Sequence, residues 1–317
     1  MKSIWRKIFI GGAVLLILII SAVLVAFPSD RIRFPGNFPE LSGPYLGQAP
    51  PGRTAVRFAP NIIGEDIHAT VTFSTDGTEV FWRPFRDDTN EILFMVLENG
   101  SWTPPQVVPF ASRISDSDDP CFSTNGERLY FTSWRPLTWI QPFDSKERIW
   151  YVDRTAQGWS RPSPVSDAVN DMELHWQLSI SNDETLYFTS EGDLYQSPFL
   201  DGAHQQPINL GNEVNSPAHE GHPWIAPDGS FLLFSSNRGK QNPGDYDLYL
   251  SQKSDLEDWE TPVNLGGQVN TPAQELYPVL SPDQHYLFFL SNRVSGLSVY
   301  WVDFSSVLAG LEHGSLE

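Results

Sequence analysis

The chain has little of what staples a small fold or recruits a cofactor. One of its 317 residues is cysteine, Cys121, which excludes an intramolecular disulfide framework and any cysteine-based zinc knuckle. Positive charge is scarce, with 20 Lys and Arg against 39 Asp and Glu and a net charge of −19. Phosphate binding needs clustered basic side chains, so a nucleic-acid partner is excluded. Neither a Gly-x-Ser-x-Gly elbow nor a Gly-x-x-x-x-Gly-Lys loop occurs, which removes the simplest serine-hydrolase and nucleotide-binding readings. What is abundant is aromatic and turn-forming: 11 Trp, 10 Tyr, 20 Phe, 26 Pro and 23 Gly. That is too aromatic for a disordered chain and too broken for long helices, and it points to an all-β fold.

The N-terminus has a different character. Lys2, Arg6 and Lys7 precede an uncharged run of twenty residues, 8–27, rich in Leu, Ile and Val. That length suits one helix crossing a hydrocarbon layer of ~30 Å. Cleavage after Ala26 would place Leu24 where a signal peptidase needs a small residue, so an uncleaved anchor is favoured over a removed signal peptide. The basic flank keeps residues 1–7 in the cytoplasm and puts the remainder outside it, in the periplasm or at the cell surface, on a single-pass anchor. Residues 28–52 carry Pro28, Pro35, Pro39, Pro44, Pro50 and Pro51 and read as a semi-extended linker.

From residue 53 one pattern recurs five times. An apolar strand enters a polar turn: Ser74-Thr-Asp-Gly77, Ser123-Thr-Asn-Gly126, Ser181-Asn-Asp-Glu184, Ala226-Pro-Asp-Gly229 and Ser281-Pro-Asp-Gln284. Asp-Gly and Asn-Gly are strong hairpin signals. A second strand follows and places Phe81, Phe131, Phe188, Phe234 and Phe289 at one equivalent position. A third strand carries β-branched and aromatic residues, as in Ile149-Trp-Tyr-Val152 and Val299-Tyr-Trp-Val302, which suit a half-buried pleat. A Trp-x-x-Pro segment then leads into a fourth, with His204 replacing Trp in the third repeat. Four strands per unit of about fifty residues fit a propeller blade. The expectation is a five-bladed β-propeller of four-stranded blades over 53–305, followed by a tail at 306–317. Because the last repeat lacks a fourth strand, residues 53–59 are expected to supply it and close the ring, removing two exposed edges.

The fullest unit, 220–271, reads Glu-x-x-Pro, Pro-Asp-Gly, Leu-Phe-Ser-Ser-Asn-Arg, Asp-Leu-Tyr and Trp-x-x-Pro-Val-Asn-Leu-Gly-x-x-Val-Asn-Thr. It resembles the WD-like repeat of bacterial envelope propellers, the TolB-like family. The resemblance implies an extracytoplasmic propeller that serves as a binding or scaffolding platform, and it carries over no catalytic motif. TolB itself has a further N-terminal domain with no counterpart here.

The candidate chemistry sits where each innermost strand begins. Asp66-Ile-His68, Glu173-Leu-His175, Glu220-Gly-His222 and Glu275-Leu-Tyr277 repeat an acid-x-ring pattern, and the second unit offers Asp116, Asp118 and Asp119. Residues two apart in a regular strand share a face, so the innermost strands would converge His68, His175 and His222 on the central channel. Three neutral imidazoles could hold a divalent metal ion, with Glu173 or Glu220 as a general base. The same acids have a structural reading, as partners of Arg238 and Arg293 that tie adjacent blades. Two functions follow: a membrane-anchored module binding a protein, peptide or glycan on one face of the ring, or a metal-dependent hydrolase or lyase acting on an exported polymer. For the first, the loop 134–146, with Trp134, Trp139 and Phe143, is the expected contact surface.

Overall fold

The computed structural model describes residues 38–85, 91–112, 115–137, 146–173, 177–239, 245–256 and 258–314. The expected cytoplasmic end and the anchor at 8–27 lie outside them. Among the described residues no helix is long and apolar enough to cross a membrane.

Strand and turn residues alternate as the repeat requires and give five antiparallel sheets. Blade 1 is built from Ile67–Phe73, Glu79–Pro84, Leu93–Glu98 and Gln106–Val107. Blade 2 uses Ser117–Phe122, Arg128–Ser133, Arg148–Thr155 and Ser163–Pro164. In blade 3 the strands are Leu178–Ile180, Leu186–Ser190, Asp193–Ser197 and Ile208–Asn209. Blade 4 comprises Glu220–Ile225, Phe231–Ser236, Asp247–Gln252 and Val263–Asn264. Blade 5 takes Glu275–Leu280, Tyr286–Ser291 and Ser298–Asp303 from the end of the chain and Val56–Arg57 from its start. The innermost strand of each blade neighbours those of the next, and the fifth returns to the first. The ring is closed.

The expected closing segment does close it. Val56 registers with Trp301 and Arg57 with Tyr300, and the Phe58 N–H donates to the Val299 carbonyl at 2.8 Å. The Trp-x-x-Pro segments lead into the fourth strands as expected. Trp102 and Trp159 sit in two-residue ribbons folded back on the third strand, and the fourth strand begins after the proline. Their rings fill the spaces between blades as expected: Trp159 packs on Phe81, Phe110 and Phe122, and the buried His204 packs on Tyr130 and Phe199.

The equivalent Phe of each blade is fully buried and registers with an aromatic residue of the third strand: Phe81 with Phe94, Phe131 with Trp150, Phe188 with Tyr195, Phe234 with Tyr249 and Phe289 with Tyr300. Such cross-strand aromatic pairs are the unit of sheet stabilisation. In three blades an arginine lies over the pair, Arg135 on blade 2, Arg238 on blade 4 and Arg293 on blade 5, which adds a cation–π contact.

The linker reading needs revision from Leu41 onward. The Trp102 N–H donates to the Leu41 carbonyl and its Nε1 to Gly43, and the Gln48 amide bonds both Arg57 and Ala59. Tyr45 packs against Phe73 of blade 1 and against Tyr286, Phe288 and Trp301 of blade 5. A proline-rich strap cannot pair as a strand, but its aromatic side chain can still seal a seam. The tail also differs, because Phe304–Gly314 forms a helix whose Phe304 and Val307 join the hydrophobic core of blades 4 and 5.

Removing residues 53–60 leaves blade 5 with an unpaired edge and opens the seam around Phe58. The loss of the Phe58 ring alone corresponds to about 3–5 kcal/mol, so thermal denaturation of the deletion variant is expected to show a Tm lowered by ~10 °C or more. An unchanged Tm would mean that the pairing of Val56 with Trp301 does not hold the ring shut.

Candidate functional site

The innermost strands do not run regularly. Between Asp118 and Cys121, Gly221 and Trp224, and Leu276 and Val279, each strand carries one more residue than its partner. Within these bulges Asp119 has φ 49°, His222 φ 56° and Tyr277 φ 54°, and Gln177 at the head of the blade 3 strand has φ 42°. Proline follows three of them, as Pro120, Pro223 and Pro278. A bulge frees an N–H from the ladder, which is where a strand tolerates proline. The left-handed conformation costs a non-glycine residue ~1–2 kcal/mol, and such strain gathers at functional sites. Of these four strained residues Asp119, Gln177 and Tyr277 line the channel, and His222 and Tyr277 line its mouth.

Two cavities meet there. The channel holds about 340 Å³ and is lined by residues of all five innermost strands, among them Asp119, Gln177 and Tyr277. A mouth cavity of about 610 Å³ opens beyond it, between blades 1, 4 and 5, walled by Ile67, Phe85, Tyr246, Leu276 and Leu297 with His68, His222, Asp66 and Gln274. Tyr277 lines both and packs against His222 with ring centroids 3.9 Å apart and the planes tilted by 38°. Phe85 lies parallel to His68 at 6.1 Å and is 64% exposed.

His68 and His222, from different blades, both line the mouth cavity and not the channel on which convergence was expected, and His175 lies outside the described residues. The acids do not accompany their rings. Glu220 is buried, and its carboxylate accepts from Ser216 N–H and Oγ (2.9 and 2.7 Å), Ser236 Oγ (2.7 Å) and Arg238 Nη2 (2.9 Å). Glu275 repeats the arrangement with Thr271, Ser291 and Arg293. The bulge turns the following ring to the mouth cavity and leaves the glutamate on the opposite course, so the two-residue spacing does not put them on one face. A carboxylate saturated by four donors cannot take a proton from substrate, which removes Glu220 as a general base. The pairing with Arg238 and Arg293 is as the structural reading expected, but it works within a blade. Arg238 also donates to the Val214 carbonyl and Arg293 to Val269, so each bolt holds the connection arriving from the preceding blade. Glu173 is exposed, and its backbone carbonyl accepts from Ser190 Oγ. Trp134 is 38% exposed, while Trp139 and Phe143 are outside the described residues. Among the described residues no three His, Cys, Asp or Glu side chains are placed to hold a metal ion.

The acids that do reach the channel come from blade 2. Asp118 Oδ2 lies 2.5 Å from His68 Nδ1 and 3.7 Å from Arg83 Nε. Burial pushes the Asp119 carboxyl up to about 7, with the Asp118 charge adding to the shift and His68 opposing it. Burial likewise pushes Glu147 up to about 8, with Asp119 and Asp118 adding. Desolvation would lower His68, but Asp118 and Asp119 prevail and hold it above the usual imidazole value. His222 is lowered to about 3 by burial and then by the His68 charge. One imidazole is thus poised to be cationic and the other neutral. Sequence reasoning had named Asp118 and Asp119 only as substitutes in the second repeat, and it missed Glu147, Gln177, Phe85 and Tyr246. The signal for Asp119 was the proline that follows it, as in His222-Pro223 and Tyr277-Pro278.

Between the ordinary carboxyl value and about 7, the folded protein keeps on Asp119 a proton that the unfolded chain has lost, so this group takes away stability as pH rises through that window. The variant Asp119→Asn is expected to melt several degrees above the parent at pH 8, with the difference vanishing toward pH 4. Melting curves across that range check it, and a constant difference would contradict the assignment.

No protein-family profile and no curated protein matches the chain. Solved structures do. A TolB candidate from Agrobacterium tumefaciens is similar over 77% of this chain and 79% of its own, at 17% identity and TM-score 0.49. TolB from Acinetobacter baumannii is similar over 77% of this chain and 51% of its own, at 14% identity and TM-score 0.46, so this chain spans about half of that protein. The endo-arabinase from Bacteroides thetaiotaomicron is similar over 80% and 96%, at 12% identity and TM-score 0.47. TolB propellers thus stand among the similar structures, as the repeat motif implied.

Proposed function

We propose that the chain is a binding module, carried outside the cytoplasm on the apolar segment 8–27, that seats a protein or peptide ligand at the mouth of its channel. The observation that carries this reading is the mouth cavity. Its volume of about 610 Å³ lies within the range of ligand pockets, and its mix of aromatic walls and a few polar groups is what such pockets use. The loops between second and third strands gather at this end and supply Phe85, Tyr246 and Leu297. Trp134 follows the second strand of blade 2, at the same end. Four strained backbones at the channel and its mouth support a role beyond filling the channel.

The reading is tested with the full chain in membranes. After crosslinking and affinity capture, Phe85→Ala with Tyr246→Ala is expected to reduce the recovered partner about tenfold. Leu256→Ala, in a loop at the opposite end and 83% exposed, is the control and leaves recovery unchanged. Loss with Leu256→Ala alone would put the ligand on the wrong face for this proposal. The anchor has its own measurement: the protein should stay in the membrane fraction after alkaline extraction and be digested by protease added outside intact cells. Release by alkali, or protection from protease, would overturn that part.

A further inference from the structure

Resting on the mouth as the ligand site, we infer that the group it receives is an organic cation, the ammonium or guanidinium of a Lys or Arg side chain inserted by the partner. Three features bear on the mouth and on the channel that adjoins it at Tyr277. The first is the walls: Phe85, Tyr246 and Tyr277 present aromatic rings to the cavity, and ring faces attract cations. Ile67 and Leu276 offer apolar surface along which a methylene stem can lie while its head group goes deeper.

The second is an excess of acid on the floor. Asp118, Asp119 and Glu147 act together on the Tyr277 hydroxyl and raise its pKa, after burial itself, with Arg83 opposing them. Arg83 and His68 are the cationic groups that contact Asp118. Among the described residues these two cations contact Asp118 and neither is shown on Asp119 or Glu147, and a buried acid in excess of its counter-charge either gives up its charge or receives a cation.

The third is a pair of acceptors without well-placed donors. Asp119, 4% exposed, and Gln177, 7% exposed, stand side by side on adjacent blades and line the channel. Asp119 Oδ2 accepts from Thr132 Oγ1 at 3.3 Å and Gln177 Nε2 donates across the channel to the Pro278 carbonyl at 3.0 Å. Asp119 Oδ1 and Gln177 Oε1 have no donor in good hydrogen-bond geometry among the described residues, although the Gln177 backbone N–H faces the Asp119 carboxylate and favours its charged form. Buried acceptors left this way cost ~1–3 kcal/mol each. An ammonium brings three N–H donors and a guanidinium five, and a charge-assisted bond to Asp119 is of the stronger kind. The net charge of −19 draws such a partner in from a distance.

Titration of the full-length protein in detergent with acetyl-Gly-Lys-Gly amide, its arginine and norleucine analogues and n-butylammonium, followed by calorimetry, tests the inference. The lysine or arginine peptide is expected to bind at least about tenfold more tightly than the norleucine peptide, which has the stem without the charge. Asp119→Asn should cost about tenfold, Phe85→Ala should weaken binding, and Leu256→Ala should change nothing. Equal binding of the norleucine peptide would overturn the cation while leaving the mouth as the ligand site. Butylammonium binding as tightly as the peptides would assign a free amine instead of an inserted side chain and overturn the proposal in that form. No binding by any charged probe, or binding indifferent to Asp119→Asn, would also overturn it. Partner capture at the mouth is measured separately, so the two readings fail by different results.

Discussion

Every sheet in this protein depends on its neighbours for cover, and the ring stands only if the last sheet finds the first. A four-stranded blade has two apolar faces, and the core clusters lie between blades, as where Phe81 and Ile92 of blade 1 meet Phe122, Phe131 and Trp150 of blade 2. Across the seam between blades 5 and 1 the chain joins the two only through Val56–Arg57, whose place in blade 5 rests on strand pairing and packing. Aromatic density rises there: Tyr45, Phe58, Phe73, Phe288 and Trp301 interlock across it with centroid separations of 5.1–6.1 Å. The strand Val56–Arg57 covers the open edge and the strap from Leu41 to Gln48 packs over the seam. Closure therefore combines hydrogen bonds along one edge with aromatic packing between two faces.

Closure also fixes what the channel can contain. Three bulges interrupt the innermost strands, and within them Asp119 and Tyr277 line the channel while His222 lines its mouth. The backbone is left-handed at each. The Glu–Ser–Arg bolts of blades 4 and 5 stand beside these bulges and anchor the strand where its ladder is interrupted. Breaking such a buried pair by removing one partner costs ~3–5 kcal/mol, so the bolt holds the strained residue in place without touching a ligand itself.

The fold was legible because it is periodic. The five turns, the equivalent Phe residues and the missing fourth strand of the last repeat are each local patterns, and the five-bladed ring with its N-terminal closure follows from counting them. The site was only half legible. Alternation with a period of two is a rule for regular strands, and a single inserted residue reverses it, so the pairing of Glu220 with His222 on one face failed, and His68 and His222 line the mouth and not the channel. Gln177 and Glu147 could not be found by motif, since one sits ahead of a short strand and the other at the end of a long loop. Their place comes from the ring and not from neighbours in sequence. The strap was misread for a related reason: proline forbids strand pairing, but it says nothing about where a flanking Tyr45 ring will pack.

What the channel presents is chemistry for holding a group more than for attacking one. Burial pushes the Cys121 thiol up to about 12 and the Tyr277 hydroxyl well above its ordinary value, so both remain protonated near neutrality and are weak nucleophiles. His222, lowered to about 3, stays neutral and packs against Tyr277. His68 and Asp118 do form an oriented imidazole–carboxylate pair, the kind of unit that can move a proton. The glutamate expected to work beside it is bonded to Arg238. An oriented imidazole between an aromatic rim and a buried acid can also act electrostatically: as an incoming cation neutralises Asp119, the pull that keeps a proton on His68 weakens, and the imidazole can give that proton up.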